Sequence, residues 1–78
     1  MKAQPGDIKF YHESGDIFKV EVLDVRGRAC GKTLGNEYKL RLLEVIATTA
    51  KNPPKPGLEF TVWEAKDAGA YGVHLLDH

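Results

Sequence analysis

A second cysteine is missing. Cys30 stands alone among 78 residues, which excludes an internal disulfide and the disulfide scaffolds of small secreted domains. A charge excess of either sign is missing too, because eleven Lys and Arg balance eleven Asp and Glu. Proteins dedicated to duplex DNA draw most of their affinity from phosphate neutralisation, so this balance speaks against one and leaves only local patches. No run approaches the roughly 20 apolar residues that span a bilayer, and the opening MKAQPGDIKF holds no apolar signal core. The histidines and the single cysteine form no four-ligand zinc pattern, so neither metal nor cofactor is expected. No window carries a useful 3.6-residue apolar period, and essentially no helix is expected. What remains is one small soluble domain over residues 7–78, expected in the cytoplasm and off the membrane. Residues 1–6 precede it as a flexible leader broken by Pro5-Gly6. A chain this short has a marginal core, and of the usual remedies only oligomerisation is left open.

What is present is alternation. Glu37 to Ala47 (EYKLRLLEVIA) is the longest apolar-rich run. Tyr38, Leu40 and Leu42 share one face and Lys39 and Arg41 the other; then Leu43, Val45 and Ala47 shift the apolar phase. A strand bent or bulged near Leu42–Leu43 is expected, half-buried first and buried on both faces afterwards. Ile17 to Val25 (IFKVEVLDV) behaves alike. Phe18 to Val25 matches Tyr38 to Val45 position by position, with the phase shifting at Leu23 and again at Leu43. The echo is either a duplicated strand unit or two strands of one sheet meeting the same demand, and the second reading is preferred. Shorter strands are expected at 7–12, 58–65 and 71–76, with turns at Glu13–Asp16 and around Gly69. Two loops complete the chain: the glycine-rich, basic 26–36 (RGRACGKTLGN), too long for a tight hairpin, and the proline-rich 48–57 (TTAKNPPKPG). Consecutive strands without a helical crossover imply an antiparallel sheet. The expected fold is therefore all-β, a small antiparallel barrel of four or five strands. An SH3-like barrel is preferred, and an OB-like one is second because its usual helix is replaced here by the proline loop.

The chemistry offered is thin. Gly27 to Thr33 (GRACGKT) is one residue short of the phosphate-loop pattern and leads into a strand instead of a helix, so nucleotide triphosphate chemistry is rejected. Arg26, Arg28 and Lys32 remain candidates for contact with an anion or a nucleic-acid backbone. Arg28 and Lys32 flank Cys30, but no base accompanies that thiol in sequence. His74 and His78 would lie about 13 Å apart along a strand, too far to share an ion. Asp24 and Glu44 hold equivalent places in the two matching strands and would form an acid–base pair only if one cleft received both. Trp63 alternates outward, away from Leu58, Phe60 and Val62. With Leu23, Val25, Leu43 and Val45 it composes a second apolar face larger than a small monomeric barrel normally shows. The expected function is a non-enzymatic barrel acting through protein–protein contact, including contact with its own copies. A nucleic-acid-binding barrel using loop 26–36 is the alternative, and a small-ligand carrier or enzyme the second alternative.

Overall fold

The computed structural model describes residues 3–66 and 74–77. The described residues form five strands: β1 (Ile8–Glu13), β2 (Asp16–Cys30), β3 (Thr33–Ala47), β4 (Glu59–Ala65) and β5 (His74–Leu76). They form one antiparallel sheet in the order β4-β3-β2-β1-β5. No helix occurs among the described residues, and among them the ladder does not close from β4 to β5. Residues 67–73, which hold most of the turn expected around Gly69 and the start of the last expected strand, lie outside the described residues. The sheet coils strongly. Tyr11 on β1 and Phe60 on β4 have two strands between them, yet their ring centroids are 5.8 Å apart.

The β2–β3 ladder explains the phase shifts. Its register slips three times, leaving Leu23, Leu43 and Ile46 without a partner opposite. Each slip is a β-bulge, in which one extra residue is inserted and the strand bends. The bulges at Leu23 and Leu43 occupy matching positions of the sequence echo, one on each strand of the antiparallel ladder. Their effect is to return the apolar side chains to one face. Phe18 opposes Val45, Val20 opposes Leu42, Val22 opposes Leu40 and Val25 opposes Tyr38. Val20, Val22, Tyr38, Leu40 and Leu42 are fully buried, and Phe18, Val25 and Val45 pack against them. This corrects the second apolar face. Val25 and Val45 belong to the core, because an inserted residue resets the alternation that a strict two-residue period would continue. Leu23 and Leu43 sit half-buried at the bulges themselves.

The opposite face of the same ladder is charged. Lys19 faces Glu44, Glu21 faces Arg41, Asp24 faces Lys39 and Arg26 faces Glu37, each pair opposite in sign. Exposed pairs of this kind stabilise by roughly 0.2–1 kcal/mol each. Their larger effect is on register: a two-residue slip sets Asp24 against Glu37 in one direction and Arg26 against Lys39 in the other. This pairing also separates Asp24 from Glu44, which stand five residues apart along the ladder, roughly 16 Å, and cannot act as one acid–base pair.

Two further expectations change. Residues 3–6 are tied down, not loose. Ala3 is buried in the core, the Gly6 amide donates to the Val22 carbonyl at 2.8 Å and the Val22 amide returns a bond to Asp7 at 2.8 Å. The segment 26–36 is a hairpin, not an open loop. Cys30 opposes Thr33 across the two-residue turn Gly31-Lys32, and Gly31 has the positive φ of 62° that a type II′ turn needs at its first central position. Gly27 and Gly35 are ladder residues. Glycine pairs read as a loop in one dimension; in three dimensions Gly35 is where an indole lies.

The bulged register makes a direct prediction. Leu42→Ala should cost about 2–4 kcal/mol in urea unfolding, whereas its neighbour Leu43→Ala should cost under about 1 kcal/mol. Equal costs would mean that the apolar face is assigned wrongly.

Candidate functional site

Apolar side chains converge where the coiled sheet brings β1 towards β4. Tyr11, Phe18, Leu42, Phe60 and Val62 line a groove of about 290 Å³, with Pro54 and Leu58 on one lip and Glu13 on the other. Tyr11 is the hinge of this cluster, 6.2 Å from the Phe18 ring centroid and 5.8 Å from that of Phe60, both tilted. The β1–β2 connection is a two-residue turn with positive φ at Ser14 (45°) and Gly15 (89°), the demand of a type I′ turn. The facing lip is residues 48–57. It is held at one end by Asp16, whose carboxylate accepts from the Thr48 hydroxyl at 2.8 Å and the Thr49 amide at 3.2 Å. At the other end the Gly57 amide donates to the Leu42 carbonyl at 2.7 Å. Proline supplies no amide hydrogens and prefers extended backbone, so the segment stands as a rigid wall outside the ladder.

The titratable groups that line the groove itself are Tyr11 and Glu13, and the Tyr11 hydroxyl donates to the Glu13 carboxylate. Burial first, and then this hydrogen bond, push the Tyr11 phenol well above its ordinary range. Tyr38, deeper in the core, is raised by burial and by the Glu64 charge, although a hydrogen bond with Asn36 opposes this. One Glu64 carboxylate oxygen is itself buried with no hydrogen-bond partner among the described residues. None of these arrangements assembles a nucleophile with a base.

The residues singled out from sequence lie elsewhere. Trp63 does alternate outward, opposite Glu37, but it is half-buried. Its ring lies diagonally over Gly35 and its Nε1–H donates to the Arg28 carbonyl at 3.0 Å, so one side chain of β4 crosses β3 to clasp β2. Part of its aromatic surface lies against the hairpin. Arg26 is bonded to Asp24 at 2.8 Å, and Arg28 is ion-paired with Glu37. The Arg26 hydrogen bond also holds the Asp24 carboxyl below its usual range. Two of the three basic candidates are thereby neutralised within the chain, and Lys32 sits exposed at the turn. Cys30 is exposed at the end of the same hairpin. No group of three or more metal-ligating side chains forms among the described residues; His78 and the His74 side chain lie outside them. Compared with protein-family models, curated proteins and solved structures, the chain matches none. The site therefore rests on its own chemistry.

Sequence patterning missed the groove because its residues come from β1, β2, β3, β4 and the proline segment, and no local motif links them. The one available signal was aromatic and apolar residues at strand ends: Tyr11, Phe18, Leu58 and Phe60.

Two predictions follow from this geometry. Gly35→Ala places a Cβ 2.5 Å from both the Trp63 ring and the Glu64 carbonyl oxygen, and should cost about 1–3 kcal/mol with a shifted Trp63 fluorescence maximum. An unchanged maximum and unfolding midpoint would remove the clasp. The second concerns pH. Both raised tyrosines are favoured in their protonated form by folding, so their contribution is complete below the unfolded value of about 10 and is lost as pH rises through the folded values. Melting temperature should fall steeply above about pH 10, and Tyr11→Phe should lower it by about 4–8 °C at neutral pH while flattening that alkaline fall.

Proposed function

We propose that this protein is a non-enzymatic interaction module whose contact surface is the aromatic groove between the β1–β2 turn and the proline segment. The observation that carries the proposal is the convergence of Tyr11, Phe18 and Phe60 under two well-tethered lips. Aromatic-lined grooves suit extended polypeptide, since prolines and aliphatic side chains lie flat on ring faces with little ordering cost. A shallow groove of this size without a nucleophile–base pair is better suited to docking than to turnover.

The strand order β4-β3-β2-β1-β5 supports an SH3-like barrel over an OB-like one. The first four strands form a meander and β5 returns to β1. The Tyr11–Phe60 contact is the curvature that closure of such a barrel needs. A reducing, cytoplasmic setting accords with the exposed lone thiol of Cys30. The nucleic-acid alternative is the weaker one, because Arg26 and Arg28 are already paired with acids.

Backbone amide NMR tests the docking surface. Shifts should concentrate at Tyr11, Glu13, Phe18, Leu58 and Phe60 on diluting the protein from millimolar concentration, or on adding a ten-residue synthetic peptide of prolines with a lysine at either end. If both series leave these amides unmoved, the groove is not a contact surface.

A further inference from the structure

We propose that the occupant of the groove is the same groove of a second copy, the two chains being related by a two-fold axis through its apolar floor. This rests on the groove being a protein contact surface and names the partner. A two-fold contact needs a patch that complements itself after half a turn. The groove has such a patch, because its two sides are opposite in charge. The β1–β2 turn carries Glu13 and Asp16, with no Lys or Arg between Lys9 and Lys19. The proline segment carries Lys51 and Lys55, with no acid anywhere in 48–57.

Half a turn brings the acidic turn of each chain to the basic segment of the other, twice over, and lays apolar floor on apolar floor. None of these charges is paired with an opposite charge among the described residues. Glu13 bonds a neutral hydroxyl, Asp16 a hydroxyl and an amide, and neither Lys51 nor Lys55 joins an ion pair among the described residues. The outer face of β2 and β3 differs here, since its opposite charges face one another within the chain. Leu58, 48% exposed on the lip, gains cover in the pair. A core that is marginal in a chain of this length gains stability with it.

The test is sedimentation of the full chain across micromolar to millimolar concentration. The mass should rise towards that of a dimer. Lys55→Glu, at an exposed position without side-chain bonds among the described residues, should weaken association at least about tenfold, since each substitution acts twice across a two-fold contact. Glu13→Lys should do likewise, and the double variant Glu13→Lys/Lys55→Glu should regain most of the lost affinity. If Glu13→Lys unfolds, Lys51→Glu replaces it as the second single variant, with the same weakening expected. A strict monomer at millimolar concentration overturns the self-docking proposal, and the peptide titration then decides separately whether the groove is a contact surface at all. A dimer indifferent to both charges but dissociated by Ile8→Lys also overturns it, since Ile8 lies on the outer face of β1 opposite Glu21.

Discussion

The antiparallel ladder between β2 and β3 is the constraint on which the remaining structure depends. It holds the two longest strands together, and its bulges at Leu23 and Leu43 decide which side chains meet. Without an inserted residue, a strand of this sequence would turn its apolar set from one face to the other halfway along. With one, Val25 joins Val22 and Val20, and Val45 joins Leu42 and Leu40, in a single row whose ends at Val25 and Val45 are half-buried. The same insertions add bend and twist, which is how Tyr11 comes within ring contact of Phe60 across two intervening strands. The groove is thus a consequence of the register, built from the rim of the core where curvature leaves it uncovered.

The charged face follows from the same ladder. Opposite signs face one another along Lys19–Glu44, Glu21–Arg41, Asp24–Lys39 and Arg26–Glu37, and Glu59 on β4 extends the network to Lys39 at 3.6 Å and Arg41 at 3.9 Å. Such exposed pairs contribute little stability individually. Their value is in specification, for they oppose slippage of a ladder whose bulges already vary its register. Arg26 and Arg28 each have an acidic partner in this pairing, whereas Glu13, Asp16, Lys51 and Lys55 have no partner of opposite sign among the described residues.

Trp63 shows how one contact reorganises several local signals. The glycines and basic residues of 26–36 suggest an open loop, and the outward tryptophan suggests a docking anchor. Gly35 lacks a side chain because the indole of Trp63 occupies that space, and the indole N–H satisfies a carbonyl on the next strand. Loop and anchor are in fact two halves of one intramolecular clasp that stiffens the hairpin.

Much of the architecture was legible in the chain: the all-β class, the absence of helix, four of the strands, the tight turn at Ser14-Gly15, and the location of a bulge near Leu43. These follow from properties that act over a few residues, namely the two-residue period, φ-permissive glycine and the lack of an amide hydrogen on proline. Which face each apolar residue serves was not legible, because a bulge is defined by two strands together and alternation is read on one. Nor was the groove, whose floor draws on four strands that come together only when the sheet coils. By itself the sequence determined that the chain forms strands and where they bend. Only the tertiary structure decided that Val25, Val45 and Trp63 are spent internally while Tyr11, Phe18 and Phe60 line a groove, since burial depends on neighbours distant along the chain.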